Sequence, residues 1–222
     1  MSPTAITGAT TVPRRQQILD AAADLFARHG FRGVSIYDIG NAVGTSGPAL
    51  YRHFPSKEAV LAEMLIGISE RLHEVALERV ARTEPGRATL AALVDWHVEF
   101  ALDNPALITV HFRDLDNLAD AERRKVRRLQ RAYAEIWVEA IRVAMPDLDE
   151  ATARSATHAV FGLINSTPHS ARLGREETGK LLSRMAMTAL TAAAGDGDDQ
   201  VDSADQVDSG DQVDSGDQGA LG

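Results

Sequence analysis

The run from Ser35 to Lys57, S-I-Y-D-I-G-N-A-V-G-T-S-G-P-A-L-Y-R-H-F-P-S-K, constrains this chain more than any other stretch, because its punctuation favours two short helices around a tight turn. Ser35 can accept from the free amides of a first helical turn, and Asp38 three residues on can return the bond, a capping box with aspartate in place of glutamate. Ile36, Ile39 and Val43 recur at helical spacing, and Gly44 ends that helix. Thr45 and Ser46 form the turn. A second helix of about two turns is expected from Gly47-Pro48, since proline suits a first helical position, with Leu50 and Phe54 pointing inward at i, i+4. Its other face carries Ala49, Tyr51, Arg52 and His53. These residue types suit a recognition helix in a major groove. Tyr51 and His53 offer hydrogen bonds to phosphates, Arg52 a phosphate or guanine contact, and Ala49 with Pro48 an apolar contact to a thymine methyl. Ser56 caps the following helix, so Lys57 and the free amides of its first turn are expected to meet one phosphate.

The longer run A-V-G-T-S-G-P-A-L-Y-R-H-F-P-S-K-E from Ala42 to Glu58, preceded by I-L-D-A-A-A-D-L-F-A-R-H-G-F from Ile18 to Phe31, resembles the signature of the TetR/AcrR transcriptional regulators. The similarity covers residues 14–66. It implies an all-α fold, with a three-helix DNA-binding domain, a helical effector-binding domain behind it, and a homodimer on double-stranded operator DNA. Carried over by position, it implies base-edge contacts near Tyr37, Gly47, Pro48 and Ala49, and backbone contacts from Thr45, Ser46, Tyr51, His53 and Lys57. One departure bears on specificity. Gly47, Pro48 and Ala49 are all small, which shifts base reading toward Tyr37, Arg52 and DNA shape.

A net charge of −9 conflicts with DNA binding until it is located. The nine aspartates from Asp196 to Asp217 stand in a tail without Lys or Arg, and the charges of residues 1–194 cancel. Within residues 1–57, Arg14, Arg15, Arg28, Arg32, Arg52 and Lys57 face Asp20, Asp24 and Asp38, leaving +3 on the expected DNA side. The tail repeats D-Q-V-D-S-A/G every six residues and is expected to be disordered, because it has almost nothing to bury. Its Asp196 to Asp198 run lacks the glycine and glutamate of a calcium loop. The chain is thus expected to comprise a flexible arm (1–12), a helix-turn-helix domain (13–57), a helical ligand-binding and dimerisation domain (58–194) and the acidic tail (195–222). Absence of cysteine fits a reducing cytoplasm and excludes disulfides and thiolate chemistry. No run approaches the roughly 18 apolar residues of a membrane span, so the protein is expected to be soluble, cytoplasmic and without a membrane partner.

Behind Ser56 the helical period continues to about Arg82, then over Arg87 to Asp103, Pro105 to Arg113, Asp120 to Met145, Asp149 to Ser166 and Glu176 to Ala194. The last two are expected to form a dimer surface with Val160, Ile164, Leu181, Leu182, Met185 and Ala189, with intramolecular core as the alternative. Trp96, His97, Phe100, His111, Phe112, Tyr133, Trp137, Phe161 and Asn165 could line an apolar cavity for a small-molecule effector, and Arg113 could stand at its mouth. Asp114 or Asp116 could equally neutralise Arg113. Arg123, Arg124, Lys125, Arg127, Arg128 and Arg131 form either a solvated face paired with Glu122 and Glu135 or an anion site for the phosphates of an acyl-CoA. Some members of the resembled family answer to fatty acids or acyl-CoA thioesters, which adds that ligand class. No G-x-S-x-G, H-E-x-x-H, Walker or G-x-G-x-x-G motif occurs, and the seven histidines lack metal-ligand spacing. Neither a cofactor nor a metal is expected. An enzyme, or a helical adaptor without DNA binding, is the competing class; a ligand-responsive regulator, released from a near-palindromic operator as a repressor, is the leading one.

Overall fold

The computed structural model describes residues 12–170 and 172–195. Among them the chain forms ten α-helices and no strand: α1 Arg14–His29, α2 Ile36–Ala42, α3 Gly47–Leu50, α4 Lys57–Arg82, α5 Arg87–Asp103, α6 Pro105–Asp114, α7 Asp120–Ala144, α8 Glu150–Ile164, α9 Thr167–Ser170 and α10 Arg175–Ala192. A 3-10 turn, Leu115–Asn117, joins α6 to α7. Apart from Val12 and Gly195, the arm and the acidic tail lie outside the described residues. Among the described residues no helix is long and apolar enough to cross a membrane.

Helix starts follow local chemistry. The Ser35 hydroxyl accepts from the Asp38 amide at 3.2 Å while the Asp38 carboxylate accepts from the Ser35 amide at 2.8 Å, which completes the capping box. The Ser35 hydroxyl, which also lies 2.7 Å from the Asp38 carboxylate, and the Ser35 amide donate to that carboxyl and hold it below its ordinary range. Ser56 caps α4 through the Ala59 amide, and Asp149 caps α8 through that of Thr152. Gly44 ends α2 with a φ of 64°, which an L side chain rarely adopts. The second helix of the motif is shorter than its expected two turns. Beyond Leu50 the amides of Arg52 and His53 bond three residues back, to Ala49 and Leu50, so the second turn tightens and only one turn is regular. The period also gave no sign of α9 or of the 3-10 turn, each too short to show an apolar repeat.

Two apolar cores result. The first gathers Ile18, Phe26, Ile39, Leu50, Phe54 and Leu61, and the second Leu93, Trp137, Ile141, Ile164 and Leu190. Full burial of each such side chain stabilises the fold by about 1.5–3 kcal/mol. Helix α4 serves both: Val60, Leu61 and Leu65 enter the first core, Ile68 and Ala76 the second. Val110 of α6 and Val126 of α7 also join the first core, so the N-terminal helices are seated on the helices behind them by apolar contact as well as by chain continuity.

Helices α5 and α10 run side by side in opposite directions, with Arg175 paired to Asp103 and Ser183 bonded to Asp95. This packing corrects part of the expected dimer surface. Val160, Ile164 and Leu182 are buried in their own chain's core at 2, 0 and 5% exposure, because α7 and α10 pack on α8 while α5 and α8 pack on α10. Leu181, Met185 and Ala189, on the other side of α10, are exposed.

Candidate nucleic-acid interface and effector cavity

The motif presents its polar residues outward. Tyr37 and Tyr51 are 59 and 47% exposed, unusual for large aromatic side chains, and Ser46, Pro48 and Arg52 are exposed beside them. Thr45, Ala49 and His53 are half-buried, while Leu50 and Phe54 anchor the segment in the core. Gly47 begins α3.

Three long cations hold this surface in place. Arg14 donates to the Val43 carbonyl at 2.6 Å, at the open end of α2, where orphan carbonyls attract positive charge. Arg15 pairs with Glu63, donates to the His53 carbonyl at 2.6 Å and lies 4.2 Å over the Phe54 ring, tying the end of the motif to α4. Lys57 donates to the carbonyls of Phe31 and Val34, both at 2.8 Å, with its ammonium 4.3 Å over the Phe31 ring. A Cβ at Gly33 within that loop would stand 2.4 Å from the His29 carbonyl oxygen, so the loop closes only around glycine. Half of the six cations expected to face DNA are therefore engaged by the domain itself. Arg28, Arg32 and Arg52 are exposed and make no ion pair among the described residues.

Behind this domain lies a mostly apolar cavity of about 430 Å³ between α4, α5, α6, α7 and α8. Seven of the ten expected residues line it: His97, Phe100, His111, Phe112, Tyr133, Phe161 and Asn165. Three do not. Trp96 follows α5 round to the opposite side, toward a second cavity shared with α1. Trp137 is fully buried one turn beyond Tyr133, with its ring edge-on to Phe161 at 5.1 Å, and forms the layer behind the lining. Arg113 turns away altogether. It donates to the carbonyls of Phe26 and Ala27 at the end of α1 and pairs at 3.0 Å with Asp114, which is 4% exposed. Of its two candidate partners, Asp114 is the one that takes it.

Sequence reasoning missed Ser69, Gln130 and His158 in the lining. Gln130 was findable, since it stands three residues before Tyr133 on the same strip of α7. Its amide donates to His111. The polar centre is a relay in which the His97 Nδ1 meets the Tyr133 hydroxyl at 2.8 Å and the Nε2 meets the Asn165 Oδ1 at 3.2 Å. Phe161 stacks on the His97 ring at 4.9 Å. Burial in this dry aromatic box pushes the His97 pKa down to about 4, and burial pushes that of Tyr133 up. His97 is neutral near pH 7.

The basic opening of α7 is paired differently from expectation. Arg123 meets Asp120, Lys125 meets Glu70 and Arg127 meets Asp116, whereas Glu135 is taken by Arg154 of α8. Glu122 makes no ion pair among the described residues. One of its carboxylate oxygens is buried without a hydrogen-bond partner.

Comparison with known proteins agrees with this architecture. Residues 18–64 match the model for bacterial regulatory proteins of the tetR family, and residues 83–169 match a tetracyclin repressor-like C-terminal domain. The repressor KstR2 of Rhodococcus jostii is 33% identical over 135 residues, covering 60% of this chain and 66% of that protein, just under two thirds of its length. A TetR-family regulator from Bordetella parapertussis superimposes with a TM-score of 0.73 at 26% identity over 79% of this chain and 93% of its own. FadR of Bacillus subtilis, solved in complex with stearoyl-CoA, shares the fold with a TM-score of 0.61 at 19% identity over 82 and 98% of the two chains. The chain belongs to the TetR family of DNA-binding transcriptional regulators.

Proposed function

We propose that this protein is a homodimeric repressor that leaves a near-palindromic operator when a small apolar molecule, a fatty acid or an acyl-CoA thioester, occupies the cavity between α4 and α8. The single observation that carries the reading is the pairing of an outward-facing helix-turn-helix with an apolar cavity of about 430 Å³, within the size range of small-molecule sites, on the two sides of one shared helix. Tyr37, Gly47, Pro48, Ala49 and Arg52 stand at base edges, and Thr45, Ser46, Tyr51, His53 and the remaining donor of Lys57 meet the backbone. The exposed Leu181, Met185 and Ala189 of α10 face the second subunit, which sets the two recognition helices about one DNA turn apart. Ligand class is supported by the apolar lining and by the stearoyl-CoA of the FadR relative.

Occupancy reaches DNA by two routes. Helix α4 runs from the cavity wall at Ile68 to the first core at Leu61, and α6 runs from the lining residue Phe112 to the Arg113 contact with α1. A coupling of about 1–3 kcal/mol along them changes operator affinity roughly 5- to 150-fold. The test is an electrophoretic shift of the protein's own promoter region with and without decanoyl-CoA. Binding that the thioester relieves is expected; no shift at any concentration would return the protein to the adaptor class.

A further inference from the structure

We infer that the cavity selects a ligand presenting a neutral carbonyl, a ketone, ester or thioester, to the Asn165–His97–Tyr133 relay, and that it discriminates against the corresponding free carboxylate. This rests on the reading of the cavity as the effector site and divides its two ligand classes. The lining contains three histidines and no Lys, Arg, Asp or Glu. Arg113, the cation sequence reasoning placed at the mouth, is committed to α1 and Asp114. Both ring nitrogens of His97 are engaged, one with Tyr133 and one with Asn165, inside a box of aromatic rings.

Neither tautomer of that relay supplies a cation. If the Tyr133 hydroxyl donates to Nδ1, then Nε2–H donates to the Asn165 carbonyl and the Asn165 amide N–H groups remain for a ligand. If instead Nδ1–H donates to Tyr133, the asparagine turns to give its N–H to Nε2, and the tyrosine hydroxyl becomes the free donor. Either arrangement offers an uncharged donor to an acceptor oxygen. In the second polar pair, Gln130 with His111, burial lowers the His111 pKa and so favours the neutral ring. A carboxylate entering beside the relay meets no Lys or Arg in the lining, only His158 of α8, exposed and edge-on to Phe161, whereas a carbonyl keeps its hydrogen bond.

The test uses the full chain, its tryptophan fluorescence, and three probes of one chain length: methyl decanoate, decanoyl-CoA and decanoic acid. At pH 7.5 the ester and the thioester are expected to bind at least tenfold tighter than the acid. Between pH 7.5 and 5.5 the acid's apparent affinity should rise about tenfold per unit while the ester's stays level, because only the protonated acid enters and His97 remains neutral across that window. Asn165→Leu should weaken the ester at least fivefold and narrow its advantage over the acid. Equal binding of ester and acid at pH 7.5, an acid affinity independent of pH, or no binding of any probe would overturn the proposal. An operator shift run on the same samples separates the two readings. Ester that binds selectively without releasing DNA upholds the selectivity and sinks the release mechanism.

Discussion

The helix-turn-helix domain and the helical domain behind it, which holds the cavity, solve opposite problems with the same element. The first must hold small polar and aromatic side chains out in water, so its motif helices α2 and α3 are short, its caps local, and its long cations reach back to fix backbone carbonyls at Phe31, Val34, Val43 and His53. The second encloses a concave, mostly apolar space, so the polar groups at its centre satisfy one another in a pair and a relay. An exposed surface tolerates charge and depends on position; a dry cavity tolerates position and depends on charge. Substitutions in one domain should therefore alter a different observable from those in the other.

The largest expected effect lies in the dry domain and is set by pH. His97 titrates near 4 in the native protein against 6.5 for its ordinary value, so below pH 6.5 the unfolded chain takes up a proton that the native one excludes. Its contribution is whole above pH 6.5, shrinks as pH falls and is gone by about pH 4, a loss of about 3 kcal/mol. Urea titrations of wild type and His97→Gln at pH 7.5, 5.5 and 4.5 should show this component only in wild type. Parallel losses in both chains would put the acid sensitivity elsewhere.

In the exposed domain, Ala49→Glu places a carboxylate among phosphates and base acceptors and should cost about a hundredfold or more in operator affinity. The same variant should bind decanoyl-CoA as wild type does. A matching drop in both would break the separation of the two domains. At the seam between them, Arg113→Ala leaves the buried Asp114 without its ion-pair partner and removes a donor from the Phe26 and Ala27 carbonyls, of which Phe26 keeps the Gly30 amide. A destabilisation of about 2 kcal/mol is expected, read from denaturant curves, together with weaker release of operator by ligand. Unchanged release would leave α4 as the sole route.

The smallest effect decides between two roles for one side chain. If Lys57 serves the Phe31–Val34 loop, Lys57→Ala should cost about 1 kcal/mol of stability and leave the salt dependence of DNA binding alone. If it neutralises a phosphate, the slope of log affinity against log salt should fall by about one unit with stability intact.

Much of the fold was legible because its signals act over a few residues. Ser35 with Asp38, Ser56 and Asp149 set helix starts within one turn of themselves, and Pro85-Gly86 and Pro146 break the period where α4 and α7 end. The DNA-side surface was legible for the same reason, since alternate burial of Leu50 and Phe54 turns Tyr51 and Arg52 outward whatever the rest of the chain does. The cavity was legible only in part. Aromatic residues at helical spacing predict burial, and Trp137 and Tyr133 are both buried, yet one is core and the other lining.

The sequence by itself determined the longer helices, the motif and the family, because capping, proline geometry and apolar period are written within a turn or two. Tertiary structure alone decided which buried groups meet and which cations are spent. His97 finds Tyr133 across 36 residues and Asn165 across 68, and Arg113 reaches Phe26 across 87. Those meetings depend on the rotation and depth at which α5, α6, α7 and α8 pack, quantities set by the summed fit of many side chains and carried by no local signal.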